Sequence, residues 1–397
     1  MKVPLLDLNE QLKPLRDEIV AAVTGVVDST CYILGPKVDA FEEQVAAYCG
    51  GGSAIGVASG TDALLASLMA LGVGPGDLVL TTPYSFFATM GCVLRLGAKP
   101  LFVDIDPVSF NLDPQKAAEI LAEDPDQTAG IKAILPVHLY GQCADMERIM
   151  ALSHQYDIPV LEDAAQAIGA SCPMTEDGEV VWRRAGTMGA AGCFSFFPSK
   201  NLGAVGDGGM IVTGDKELAE HIRIIRVHGG APKYHHAIIG GNFRIDPIQA
   251  VVLSIKLPYL DSWHQARRAN ADLYDKLFAE KGLVGEKVQL PQAIYRTAAE
   301  EQQETPDFHI FNQYVIRAAK RDALKAYLIK EGIGAEIYYP IPLHKQKCLS
   351  EMGYNDLSYP EAEKAAAETL ALPIYPELTD SMQEYVVERI AAFYESN

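Results

Sequence analysis

Between residues 54 and 212 short apolar runs alternate with helix-forming stretches, and this alternation limits the possible folds more than any other feature of the chain. Ala54-Ile55-Gly56-Val57-Ala58, Leu78-Val79-Leu80, Pro100-Leu101-Phe102-Val103, the apolar run 131–139 and Pro159-Val160-Leu161 read as strands. Residues 63–71, 88–96, 111–122 and 146–156, which lie among them, read as helices. Strands separated by helices predict βαβ units, hence an α/β unit with a mostly parallel sheet. From about Asp261 the pattern changes to long helices and short strands, with Phe308-His309-Ile310-Phe311 and Tyr314-Val315-Ile316-Arg317 as strand candidates. We therefore expect a large domain over 1–255, carrying an N-terminal arm, and a smaller α+β domain over 256–397.

A chain of 397 residues, 49% hydrophobic, can bury a large core without metal or disulfide staples. Its seven cysteines are scattered and never form a C-x-x-C pair, which predicts free thiols and no structural zinc. The adjacent His235 and His236 lack a nearby acid, so no metal site is expected. With Lys+Arg 33 against Asp+Glu 52, the net charge of -19 argues against nucleic acid or an anionic membrane as partner. No run is long and apolar enough for a transmembrane helix, and the start lacks a signal-peptide core, so a cytoplasmic protein is expected.

Three stretches carry chemistry. In Phe194-Ser195-Phe196-Phe197-Pro198-Ser199-Lys200 a lysine lies between an apolar strand and the glycine turn 203–209. Most lysines are surface groups, but one held in a partly dry place loses its proton more readily and becomes nucleophilic, as a Schiff-base lysine requires. In Ile158-Pro159-Val160-Leu161-Glu162-Asp163 two acids end a strand. Neighbouring strand residues face opposite ways, so Asp163 can face a ligand while Glu162 does not. A carboxylate so placed suits a buried, positively charged ring nitrogen. Ser59-Gly60-Thr61-Asp62 links a strand to a helix and forms either an N-cap or an anion site on the helix N-terminus. Phe86, after the second strand, is either core or a ring that stacks on a flat ligand. His138 reads as a core histidine.

Together Ile33-Leu34-Gly35-Pro36, Ala58-Ser59-Gly60-Thr61-Asp62-Ala63-Leu64, Glu162-Asp163-Ala164-Ala165-Gln166, Ser195-Phe196-Phe197-Pro198-Ser199-Lys200-Asn201-Leu202 and Gly241-Asn242-Phe243-Arg244 resemble the DegT–StrS family of sugar-nucleotide aminotransferases. The resemblance runs over nearly the whole chain. It implies the pyridoxal-phosphate-dependent transferase fold of type I, with a seven-stranded type of sheet between helices. It further implies that Lys200 forms the internal aldimine with pyridoxal 5'-phosphate, that Asp163 pairs with the ring nitrogen and that Gln166 approaches the ring's 3-oxygen. Phe86 would stack on the ring, and Ser195, Gly60 and Thr61 would hold the phosphate. Asn242 would reach the cofactor of a second copy, implying a homodimer with shared sites. Tyr338 and His344 lie where the family contacts its sugar nucleotide. The expected partners are a keto-sugar nucleotide and an amino donor, L-glutamate, with polysaccharide or other amino-sugar biosynthesis as the setting. Arg244, Arg226, Lys233 and Lys345 are the candidate cations for the donor carboxylate and the nucleotide diphosphate.

Some family members are dehydratases with histidine in place of the lysine; Lys200 favours transamination. Another type I pyridoxal-phosphate reaction and a non-catalytic sensor on the same fold are the rival readings. Residues 172–184 read as a polar insertion near the sugar pocket. The sugar, its keto carbon and the nucleotide base are not specified by these residues.

Overall fold

The apolar runs form strands because their side chains alternate between two cores, one on each face of a single sheet. The computed structural model describes residues 1–232, 234–302 and 306–396. Its first nine strands are β1 (Ser53–Val57), β2 (Leu78–Thr81), β3 (Lys99–Phe102), β4 (Ile131–Leu135), β5 (Leu161–Asp163), β6 (Ser171–Glu176), β7 (Glu179–Arg184), β8 (Ala191–Ser195) and β9 (Gly209–Thr213). A four-stranded part, β1-β9-β8-β5, and a three-stranded part, β3-β2-β4, are joined by parallel bridges Ile134–Val160 and Val137–Asp163. The result is a seven-stranded sheet in the order β1-β9-β8-β5-β4-β2-β3. Only β9 runs antiparallel to its neighbours; the other pairings are parallel. The carboxyl ends of β1, β2, β4, β5 and β8 therefore share one edge, where open α/β sheets bind ligands.

On one face Ile55, Val57, Val79, Leu161 and Ile211 pack with residues of helices Gly60–Ala70, Phe87–Arg95 and Lys216–Arg226. On the other, Ala54, Leu80, Ile134, Val160 and Val212 pack with helices Pro36–Tyr48, Met146–Tyr156 and Pro247–Lys256. The chain leaves this unit along helix Leu260–Glu280, whose start joins the large core through Leu260 and whose end joins a second core through Tyr274 and Phe278. That second core covers the antiparallel sheet of β10 (Val288–Gln289), β11 (Tyr314–Ala318) and β12 (Thr369–Leu372). The N-terminal arm belongs to it as well: Val3 is buried there and exchanges backbone hydrogen bonds of 2.9 and 2.8 Å with Gly332 and Gly334.

One sequence expectation changes. Residues 308–311 form no strand; Phe311 has φ +42°, and the Ile310 carbonyl accepts from the Asn201 side chain rather than from a ladder. The polar stretch 172–184 forms most of the β6–β7 hairpin, in register from Ser171–Arg184 to Glu176–Glu179. Its turn residues Asp177 and Gly178 both have positive φ, the conformation a two-residue hairpin turn prefers. All seven cysteines are free thiols. Among the described residues no helix is long and apolar enough to cross a membrane.

Glu162 ties these parts together. It is fully buried, and its two carboxylate oxygens accept from His138 Nε2 (2.8 Å) and from the amides of Gly186 (2.6 Å), Met188 and Gly189 (both 2.7 Å). His138 Nδ1 accepts from the Ala144 amide, so Nε2 carries the proton that Glu162 receives. Glu162→Ala strands these buried donors and is expected to cost about 3–5 kcal/mol, read as a lower urea midpoint. A change under about 0.5 kcal/mol, the size of an ordinary surface substitution, would contradict this account.

Candidate active site

Asp163, the other acid of β5, ends its strand on the shared carboxyl edge and is buried. Its Oδ2 accepts from Thr89 Oγ1 at 2.8 Å, and its Oδ1 from the Ala165 amide at 3.3 Å. Since the Thr89 hydroxyl gives its proton to Asp163, Ser85 Oγ, 2.9 Å away, must donate to Thr89. Burial pushes the Asp163 carboxyl up, while Thr89, Ala165, Lys200 and His138 pull it back. A carboxylate held so dry, with two hydrogen bonds, would be kept ionised by a cationic partner.

Lys200 follows β8 in the turn that closes with Lys200 N donating to Phe197 O at 2.8 Å. Loss of water lowers its ammonium from the ordinary 10.5 to about 8, and the Asp163 carboxylate opposes that shift. The loop beyond it is braced from below. Lys256, buried on helix Pro247–Lys256, donates to Gly203 O at 2.6 Å. Asn201 donates from Nδ2 to Ile310 O at 3.0 Å.

The anion cradle is built where the helix following β1 meets β8. Ser59 caps the helix by accepting from the Asp62 amide at 3.0 Å, which leaves the first-turn amides of Gly60 and Thr61 without helical acceptors. Gly60 is required by proximity, for a Cβ there would stand 2.6 Å from Ser195 Cβ. The Ser195 hydroxyl and the helix N-terminus are thus brought together, a geometry suited to a phosphate. Phe86 lies after β2 and is 63% exposed, so its ring is presented rather than packed away.

Gln166 is buried. Its Oε1 accepts from the Tyr140 amide (2.7 Å) and its Nε2 donates to Tyr339 OH (2.8 Å). Tyr339 stacks on Tyr140, and the Tyr140 hydroxyl meets that of Tyr84, which also contacts Thr369 Oγ1 at 2.8 Å. This chain links the large sheet to the smaller domain. Asn242 is exposed on the segment beside the end of β1, where the Ala58 amide donates to Phe243 O at 2.8 Å. Arg244, on the same segment, has a buried Nε with no partner. Tyr338 is exposed over about 39% of its surface and lines the same small cavity as Gln313. His344 is fully buried in the smaller domain: Nε2 meets Glu363 at 3.0 Å, the ring packs edge-on to Tyr359 and Nδ1 has no partner.

Two candidate cations are corrected. Arg226 is buried against Glu42 and the Gly56 carbonyl, so it holds helix Pro36–Tyr48 to β1 and is not available to an anion. Lys345 is used up locally, donating to the carbonyls of Asn355 (2.9 Å) and Leu357 (2.8 Å). Lys233 lies outside the described residues. The residues missed from sequence are Thr89 and Tyr339. Thr89 lies in the first turn of helix Phe87–Arg95 with no motif to mark it, whereas Tyr339 sits beside Tyr338 in a conspicuous aromatic-proline run.

In the cofactor-free protein, Lys200 should be half-deprotonated near pH 8, where an ordinary lysine stays charged until about 10.5. Competitive trace acetylation read by mass spectrometry gives this midpoint. Asp163→Asn should move it lower, because the carboxylate is the group that stabilises the ammonium. A wild-type midpoint near the ordinary value would contradict the buried setting.

The DegT/DnrJ/EryC1/StrS aminotransferase family pattern matches residues 13–391. Over 394 residues the chain is 49% identical to a pleiotropic regulatory protein of Geobacillus stearothermophilus, with 99% of each chain covered. It is 42% identical over 389 residues to the UDP-N-acetyl-3-dehydro-alpha-D-glucosamine 3-aminotransferase of Acidithiobacillus ferrooxidans, covering 98% of this chain and 96% of that one. The crystal structure of S. venezuelae DesV in complex with a ketimine intermediate matches with a TM-score of 0.87 at 38% identity over 99% of both chains. A buried carboxylate, a lysine of lowered pKa and an anion cradle on one sheet edge fit the pyridoxal-phosphate chemistry of such enzymes. The chain belongs to the DegT/DnrJ/EryC1/StrS aminotransferase family.

Proposed function

We propose that this protein moves an amino group from L-glutamate to the keto carbon of a nucleotide-activated sugar, in sites shared between the two subunits of a homodimer. The observation that carries the reading is the nucleophilic setting of Lys200 beside the buried Asp163, on the same sheet edge as the Gly60–Ser195 cradle. The name of the Acidithiobacillus relative makes a UDP-linked 3-keto-N-acetylhexosamine the first acceptor to test.

Pyridoxal phosphate, when bound, supplies the electron sink for cleaving the donor's Cα–H bond. The chain's own residues do the rest. The amides of Gly60 and Thr61 and the Ser195 hydroxyl would bind the phosphate group. Asp163, oriented by Thr89, would hold a proton on the ring nitrogen. Phe86 would cover one ring face, and Gln166, fixed by Tyr140 and Tyr339, would lie beside the ring's 3-oxygen. Lys200 Nζ would hold the cofactor covalently and, when freed by the donor, would take the proton from the donor's α-carbon and deliver it again. A base with a pKa of about 8 can do both near neutral pH.

The dimer is supported by surface chemistry. Ile33, Phe197, Val205 and Ile239 are large apolar side chains more than half exposed, and Asn242 is exposed too. Large apolar side chains exposed to this degree are suited to burial against a second subunit. Tyr338 and Arg244 would contact the sugar nucleotide, whereas His344, fully buried against Glu363 and Tyr359, would support that site only through its neighbours. The free thiols suit a reducing compartment, the cytoplasm.

On adding L-glutamate to the purified, cofactor-loaded protein, the visible absorbance band should give way to a near-ultraviolet one, and a keto-sugar nucleotide should restore it. Lys200→Ala should retain the fold and lose turnover by at least about 10³-fold, as loss of a covalent and acid–base group implies. A visible band that no amino acid alters would overturn the aminotransferase reading. Asn242→Ala should loosen the cofactor across the interface; a fully active monomer in light scattering would end the shared-site proposal.

A further inference from the structure

We propose that a small pocket built around Arg267 binds a carboxylate of the amino-group donor. The inference rests on the aminotransferase reading and adds to it the group that would recognise the donor. The cavity, about 90 Å³, has one wall of Ser199, Arg267, Asn312, Gln313 and Tyr338, and an apolar wall to which Leu5 and Leu6 of the N-terminal arm and Leu372 and Ile374 contribute. Ser199 places it next to Lys200 in the chain.

Arg267 is 2% exposed, and its Nη1 donates to the carbonyls of Phe311 and Ile374, both at 3.0 Å. Those two bonds fix the guanidinium plane. Its Nε is buried without a partner, and among the described residues no carboxylate lies within ion-pair distance. Glu377 acts on it only from farther off. Burial lowers its pKa from 12.5 to about 10, so it stays charged at neutral pH. What is left over is the Nε–Nη2 edge, whose two parallel donors match the two oxygens of a carboxylate.

The same wall holds further unpaired groups. Asn312 is 6% exposed, and neither its Nδ2 nor its Oδ1 has a partner. Gln313 is 8% exposed and has an unpartnered Oε1. Buried polar atoms are almost always paired, so three neighbouring exceptions around one cavity point to a polar ligand. Its charge is set by Arg267, and its size by a space that a carboxylate fits and a nucleotide diphosphate does not. The donor is the substrate that must bring its α-carbon to Lys200, and its carboxylates lie within a few bonds of that atom. The Leu5 and Leu6 side chains close the apolar side.

The test uses glutarate, a dicarboxylate with no amine to react, titrated calorimetrically into the cofactor-loaded enzyme. Arg267→Lys keeps the charge but removes the fork, and should weaken glutarate about tenfold or more. Asn312 anchors nothing else in the fold, so Asn312→Ala should keep its urea midpoint yet weaken glutarate several-fold. In rapid-mixing half-reactions both variants should need more L-glutamate for half-maximal rate, while the return half-reaction with the keto-sugar keeps its half-saturating concentration. Should Arg267→Lys fail to fold, Asn312→Ala decides alone. Wild-type glutarate affinity in the folded variants would overturn the pocket and leave amino transfer standing. A wild-type protein that no amino acid converts would instead fail the aminotransferase reading itself.

Discussion

Two carboxylates adjacent on one strand are buried on opposite faces of the sheet, and the rest of the structure depends on how each is satisfied. Glu162 receives protein donors only: one imidazole and three backbone amides from the loop between β7 and β8. It is a structural anion that fixes the approach of β8, and with it the position of Ser195 and Lys200. Asp163 receives a hydroxyl and one long amide contact, and burial still pushes its carboxyl up. Protein donors complete the solvation of one acid, while a cationic ligand would complete that of the other.

The same division runs through the polar groups around the site. Arg226 and Lys345 are spent on the fold, one on Glu42 and the other on backbone carbonyls. Arg267 is spent only in part. A buried polar atom without a partner destabilises the protein, by about 1–3 kcal/mol. Such atoms are tolerated where a ligand will complete them, and Arg267, Asn312 and Gln313 lie together around one cavity.

Much of this was legible in the chain. The βαβ alternation gives the sheet and its ligand edge, because a strand and a helix differ in period whatever surrounds them. Lys200, Asp163, Gly60 and Ser195 announce themselves because each ends or follows an apolar run within a short motif. The β6–β7 hairpin was equally open to view, since Asp177-Gly178 is a strong two-residue turn signal, yet its polar strands disguised it. Phe308-His309-Ile310-Phe311 reads as a strand by composition, but its backbone groups are taken by Gly141 and Asn201 rather than by a neighbouring strand.

By itself the sequence determined the alternation of strands and helices, and with it the mostly parallel sheet and its ligand edge, since these follow from local periodicity and local residue type. Only the tertiary structure decided which cations are free. Arg226, Arg244 and Arg267 look alike in the chain and each has a buried Nε without a partner; what separates Arg226 from the other two is that a carboxylate, Glu42, neutralises it. Such partners come from segments far away in sequence: Glu42 is 184 residues from Arg226, and Ile374 is 107 from Arg267. A hydrogen bond's worth depends on what the fold brings to it, so the availability of a charge is a property of packing, which spacing along the chain does not encode.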